Sequence, residues 1–326
     1  MATEFLAQAE TGFLRKLIND SPSVRARLFA PLLERQMAGR MGTTLSVPQM
    51  RREIDFWGGL TRLVGGTRII PEEIAGLGGS IPAAWLVPPA PHPHRFIIYL
   101  HGGGYIAGSL RSYQGFVSHI ARAAGAAVLF PEYRLAPEHC FPAPLEEALA
   151  TYDWLLGRGV RPQQVVIAGD SAGGGLTLAL LQALRQRGEA MPAAAVCLSP
   201  WTDLTCCGVS MRTRADRDPW LRPHLVEAAA GVYCGGVPAT DARVSPLYGE
   251  MVGLPPMLIQ VGEREILLSD ATRLAEKAAA EGVPVTLEVW AGMWHVWQAF
   301  LVSGVPECSE AIDRMGRYAA RRLAPA

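Results

Sequence analysis

The sequence predicts an α/β protein built on a mostly parallel sheet with helices on both faces, and three observations carry that reading. Short apolar runs such as "RFIIYL" (95–100), "QVVIAGD" (164–170) and "PPMLIQVG" (255–262) are bounded by turn residues and lack polar alternation, as strands buried on both faces do. Between such runs lie helical patterns near 143–157, 172–187, 270–281 and 307–322, and strand–helix alternation of this kind builds a parallel sheet. With 326 residues, 49% of them hydrophobic and 18% charged, the chain can fill the core that this fold needs.

Taken in order, residues 1–40 read as helical. Phe5, Leu6, Phe13, Leu14, Leu17 and Ile18 fall near a 3.6-residue period, and Ser21 or Ser23 opens a second helix through Val24, Leu28 and Leu32. "TRIIPEEIA" and "IPAAWLV" are early strands separated by the turn "GLGGS", and "VPPAPHPH" is a surface connection. "AAVLFPEY", "AAAVCLSP" and "VPVTLEVWAG" supply further strands. Residues 205–245 interrupt the alternation with polar and helical material. They are expected to form an insertion above the carboxyl edge of the sheet, joining residues 1–60 in a helical cap over the domain spanning 61–326.

The formal net charge is zero, so no overall basic field draws nucleic acid or anionic membranes to the surface. Six cysteines (Cys140, Cys197, Cys206, Cys207, Cys234, Cys308) show neither CxxC pairing nor regular spacing, which argues against structural zinc and a disulfide framework. Reduced thiols suit a cytoplasmic protein. "MATEFLAQAETGFLRKLIND" has no charged segment followed by an unbroken apolar stretch, and no run approaches the length of a membrane span. A soluble chain without membrane insertion is expected, its amphipathic start packing on its own domain.

The strongest local signal is "VVIAGDSAGGGLTLALL" (165–181), a β-branched run, then Gly169-Asp170-Ser171-Ala172-Gly173, then a helical Ala/Leu pattern. This is GxSxG in a strand–turn–helix context, where a tight turn lifts the serine hydroxyl clear of the backbone and the helix N-terminus lies beneath it. A helix-capping serine is the plainer reading. A nucleotide loop is excluded by the missing P-loop lysine and the wrong glycine register. A hydroxyl needs a base to attack a carbonyl, and the base needs an orienting acid. Only His224 and His295 follow Ser171. His224 sits beside a proline in the insertion and reads as surface, whereas His295 follows the strand "VPVTLEVW" on a loop at the carboxyl edge. Glu263, Glu265 and Asp270 compete for the acid after "PPMLIQVG". Asp270 has a ready role at a helix start and Glu263 can face solvent from the strand end, so Glu265 is preferred.

"YLHGGGYIAG" (99–108) spends three consecutive positions on glycine. Attack on a carbonyl creates an oxyanion, and each preorganised N–H that meets it is worth roughly 3–4 kcal/mol in the transition state. Glycines after a buried strand let successive amides aim at one point, with a further donor from Ala172 just after the nucleophile.

In these segments the sequence resembles the bacterial hormone-sensitive-lipase-type esterases, a branch of the α/β-hydrolases. The matching pieces are "HGGGY" (101–105), "YRLAPEHCFPAPLEE" (133–147), "GDSAGG" (169–174), "SPWTDLT" (199–205) and the C-terminal "HVW", in order across residues 66–320. The resemblance implies the α/β-hydrolase fold with an eight-stranded sheet and a helical cap. It implies carboxylester hydrolysis with no cofactor or metal, and it suggests a homodimer. It places the oxyanion donors at Gly103, Gly104 and Ala172 and the nucleophile at Ser171. Glu265 falls where the first aspartate of the relatives' DPL-type motif stands, here within "EREILLSD". Tyr133, Arg134 and Glu138 are expected in a buried network, Asp170 and Asp203 on backbone amides, and His101 in fixing the glycine loop. Trp57, Tyr105, Trp201 and Trp220 are candidate pocket walls favouring short- or medium-chain acyl or aryl esters. Trp294 either narrows the mouth or joins Trp297 in the core. An amidase or deacetylase on the same machinery and a non-catalytic small-molecule receptor are the alternatives.

Overall fold

The buried apolar runs become the central strands of one sheet. A computed structural model describes residues 13–41 and 46–323. The chain begins with β1 (Phe13–Ile18), α1 (Val24–Met41) and α2 (Val47–Gly58), then β2 (Arg68–Gly76), β3 (Gly79–Val87) and β4 (Phe96–Leu100). α3 (Leu110–Ala124), β5 (Ala127–Pro131), α4 (Ala143–Gly157), β6 (Val165–Asp170), α5 (Ala172–Gln186) and β7 (Ala194–Leu198) follow. The remainder is α6 (Val209–Thr213), α7 (Pro223–Cys234), β8 (Met257–Gly262), α8 (Leu268–Ala280), β9 (Val285–Trp290) and α9 (Pro306–Arg322).

The strands lie in the order β1-β9-β8-β7-β6-β4-β5-β3-β2. Only the β2–β3 and β3–β5 pairs are antiparallel; every other neighbouring pair is parallel. Every residue of β6, β7 and β8 is buried, because helices cover both faces. Alternation along β4 divides the core: Ile98 and Leu100 pack with Leu176 and Leu180 of α5, whereas Ile97 and Tyr99 pack with Phe116 of α3 and Met315 of α9.

Three expectations change. Residues 13–18 form a strand rather than a helix, pairing in parallel from Phe13↔Val285 to Ile18↔Trp290. The backbone groups along the outer edge of β9 need partners, and this segment supplies them; its apolar spacing alone fits either element. Phe5 and Leu6 lie outside the described residues. Among the described residues the sheet therefore has nine strands instead of eight. The outer edge of β9 is thereby occupied by β1 of the same chain. Third, α3 goes beyond the elements read from the sequence, although its signals are present: the Ser109 hydroxyl accepts from the Ser112 amide at the N-cap, and Gly125 closes the helix at φ 58°. Among the described residues, no helix is long and apolar enough to cross a membrane.

Candidate active site

β6 is the central strand, bonded to β4 and β7, and its last residue is Asp170. Ser171 follows at φ 53° and ψ −122°, and α5 begins at the next residue. A non-glycine residue in such a conformation costs on the order of 1–3 kcal/mol and persists only where its surroundings hold it. Here the Ser171 amide donates to Leu198 O at 2.8 Å and its carbonyl accepts from the Trp201 amide at 2.9 Å. The turn is tight enough that a Cβ on Gly173 would lie 2.0 Å from Leu100 O, which explains the second glycine of GxSxG.

Beside Ser171 stands the glycine loop. Gly103 has φ 111°, and a Cβ there would lie 2.2 Å from Ala107 O, so only glycine fits. The amides of Gly103, Gly104 and Ala172 meet no protein acceptor among the described residues, as groups reserved for a ligand should. The preceding amide, Gly102 N, donates to Asp170 Oδ1 at 3.0 Å. Asp170 also accepts from Tyr99 Oη and Tyr113 Oη, each at 2.9 Å. Burial pushes its carboxyl up to about 6, against the pull of the tyrosine hydroxyls. Asp170, the residue before Ser171, thus fixes the start of the glycine loop.

His101 is 1% exposed and stacks on Tyr133 at 4.2 Å between ring centroids. Its Nδ1 lies 2.7 Å from Gly102 O, so Nδ1 carries the proton. Burial lowers its pKa to about 4. A ring kept neutral by its surroundings suits fixing the loop and not moving protons. Tyr133 Oη donates to His101 O at 2.6 Å, and Arg134 pairs with the buried Glu147. Glu138, in contrast, is not buried: its side chain is 54% exposed and pairs with Arg51. Asp203 accepts from the Thr205 amide at 3.0 Å.

Of the three competing carboxylates, Glu265 is the one on His295. Glu265 Oε2 lies 3.0 Å from His295 Nδ1, both residues are almost fully buried, and an ionised acid requires that Nδ1 donate, leaving Nε2 as the basic nitrogen. Glu263 instead accepts from the Gly292 amide at 3.1 Å and faces Arg217. Asp270 accepts from the amides of Thr202 and Asp203, each at 2.9 Å. His224 is exposed on α7.

Ser171, His295, Gly103 and Gly104 wall one apolar cavity of about 470 Å³, which residues of α1, α2 and α7 also line. Trp57, Trp201 and Trp220 contribute to its wall. Tyr105 and Trp294 do not. Tyr105 is 1% exposed and lies flat on Tyr233 with centroids 3.6 Å apart; Trp294 has no exposure and packs on Phe29 and Phe300. Tyr105 itself has φ 61°, and Val296, after His295, has φ 48°. Trp297 is also buried.

Two supporting residues were given no role by the sequence: Ser199, which opens the "SPWTDLT" segment, and Asp218, in the insertion. Ser199, at φ 45°, donates to Glu265 Oε1 at 2.7 Å and accepts from the Val296 amide at 3.1 Å. Asp218 accepts from the amides of Trp220, Leu221 and Ile266 at 2.9, 3.1 and 3.1 Å, tying the insertion to the residue after Glu265. Burial raises its carboxyl to about 6. Of the six non-glycine residues with positive φ among those described, Tyr105, Ser171, Ser199 and Val296 all belong to this neighbourhood. Concentrated strain of this kind marks functional sites.

Comparison with known proteins agrees with the geometry. The sequence matches the alpha/beta hydrolase fold family over residues 97–299. It is 44% identical over 254 residues to an acetyl-hydrolase of Streptomyces hygroscopicus, a match spanning 78% of this chain and 84% of that one. It is 35% identical over 226 residues to an esterase of Acinetobacter venetianus, spanning 69% of this chain and 74% of that one. Among solved structures, an esterase from the bacterial hormone-sensitive lipase (HSL) family superposes with a TM-score of 0.87 at 40% identity, covering 93% of this chain and 100% of that one. This chain belongs to the α/β-hydrolase family, within which it is a hormone-sensitive-lipase-type carboxylesterase.

Proposed function

We propose that the chain hydrolyses short- to medium-chain acyl and aryl esters through an acyl-enzyme formed on Ser171. The observation that carries this reading is the convergence of Ser171, His295 and the unpaired glycine amides on one apolar cavity. Ser171 Oγ attacks the ester carbonyl carbon while His295 Nε2 takes its proton, and Glu265 holds the imidazole and balances its charge. The carbonyl oxygen becomes an anion that accepts from the amides of Gly103, Gly104 and Ala172. Collapse breaks the bond to the alcohol, which leaves with the proton from His295. Water then attacks the acyl group by the same route and frees Ser171.

The helices α1 and α2 and the insertion carrying α6 and α7 act as the cap, a role supported by their residues in the cavity wall. A volume of about 470 Å³ lies within the range of roughly 300–1,000 Å³ that suits small molecules, not bulky triglycerides. Six cysteines without disulfide partners support a cytoplasmic location. The test is a series of p-nitrophenyl esters from acetate to palmitate, assayed beside Ser171→Ala. Highest kcat/KM at short or medium length, abolished in the variant, is the expected result; an optimum on long-chain emulsions contradicts it.

A further inference from the structure

α2 forms part of the cavity wall through Met50, Ile54 and Trp57, yet none of its residues is buried. Met50 and Ile54 are half-buried against the main core, and Arg51 and Asp55 add polar contacts that fix how the helix is seated. Asp55 Oδ1 accepts from Ser109 Oγ at 2.6 Å. Arg51 reaches further in. Its Nε donates to Ile106 O at 2.8 Å and its Nη2 to Ala136 O at 3.0 Å. The outer side of the guanidinium takes Glu138 in a two-pronged pair at 2.9 and 2.6 Å.

Those carbonyls belong to the segments that shape the glycine loop. Ile106 and Ala107 close a turn onto Gly103 O at 3.1 and 3.0 Å, and the Ala136 amide donates to Tyr105 O at 2.9 Å. One guanidinium therefore clasps the residue two places after Gly104 and the segment against which that turn rests. The planar fork of an arginine serves two carbonyls and a carboxylate at once, which an ammonium does not.

We propose that Arg51 is a positioning residue for ester hydrolysis: through the Ile106 and Ala136 carbonyls it sets the aim of the Gly103 and Gly104 amides, and it couples that aim to the seating of α2 over the cavity. The inference rests on the oxyanion role proposed for those amides. Glu138 only steadies the guanidinium, since a pair as exposed as 30% and 54% contributes little of its own.

The experiment measures kcat and KM for p-nitrophenyl acetate, butyrate, hexanoate and octanoate, per folded protein, for Arg51→Ala, Arg51→Lys and Glu138→Gln. Arg51→Ala is expected to lower kcat about ten- to hundredfold, by one factor at every chain length, because the oxyanion is common to all four esters. Arg51→Lys, which retains one carbonyl contact, falls between, and Glu138→Gln stays within about twofold. An effect confined to KM, or one that grows with chain length, marks Arg51 as a mere wall support and overturns the inference, as does an unchanged kcat. If Arg51→Ala does not fold, the same criteria are applied to Arg51→Lys. Ser171→Ala, run alongside, separates the two levels. Turnover surviving in it sinks the underlying site; turnover lost there but intact in the Arg51 variants sinks this inference alone.

Discussion

Ser199 and Glu265, neither with any exposure to solvent, share a 2.7 Å hydrogen bond that leaves Glu265 Oε2 for His295. Glu265 Oε1 also accepts from the Gly262 amide at 2.5 Å, so one carboxylate oxygen is held by Ser199 and Gly262 while the other faces His295. Removing the Ser199 hydroxyl leaves the Val296 amide without its acceptor and loosens the acid. A buried polar group left unpaired costs about 1–3 kcal/mol. Ser199→Ala is expected to lower both the melting temperature and kcat, the latter by about tenfold. Steady-state kinetics with calorimetry checks this.

The three carboxylates near the end of β8 separate by function. Glu265→Gln offers His295 the wrong hydrogen-bonding partner and is expected to cut kcat by about 10²–10⁴. Glu263→Gln is expected to leave kcat within a few-fold. Asp270→Asn is expected to act on stability, since the carboxylate holds the Thr202 and Asp203 amides and pairs with Arg273. If Glu265→Gln turns over normally while either of the others does not, the acid is misassigned.

Gly103 and Gly188 make a controlled pair. Both have positive φ, but an added Cβ meets Ala107 O at 2.2 Å at the first and nothing within 4 Å at the second. Gly188→Ala should cost only about 1–2 kcal/mol of stability and leave kcat unchanged. Gly103→Ala must displace the loop backbone and is expected to lose kcat by at least about a hundredfold. Equal behaviour of the two variants contradicts the role given to the loop.

Asp218 predicts a pH dependence. Its carboxyl is raised by burial to about 6 from an ordinary value of 3.8, so the folded state keeps a proton that the unfolded state releases. Its contribution is therefore present below about pH 4 and lost as pH rises toward 6, a change of about 3 kcal/mol. Asp218→Asn lacks this titration. The stability of wild type minus that of Asp218→Asn, from denaturant melts, should fall as pH rises from 4 to 6 and then level off. A difference independent of pH contradicts the assignment.

The sequence revealed the parts of the molecule whose cause is local. β4, β6 and β8 are apolar runs buried on both faces, and Ser171, His295 and the glycine loop lie at strand ends in a fixed order, so pattern and chemistry sufficed. β1 was hidden because its partner begins at Val285, and a short apolar pattern does not say that a distant edge needs closing. Ser199 meets Glu265 across 66 positions and Asp218 meets Ile266 across 48, contacts that only the folded chain creates. Tyr105 and Trp294 carried the right chemistry for a pocket, but their rings pack on Tyr233 and on Phe29 and Phe300, contacts made across the folded chain.

The most direct measurement of the central claim is mass spectrometry of the protein after brief exposure to a fluorophosphonate ester. A single adduct on the peptide containing Ser171, absent from Ser171→Ala and slowed by Glu265→Gln, is the result predicted here. An adduct on another residue, or ester turnover undiminished in Ser171→Ala, contradicts it.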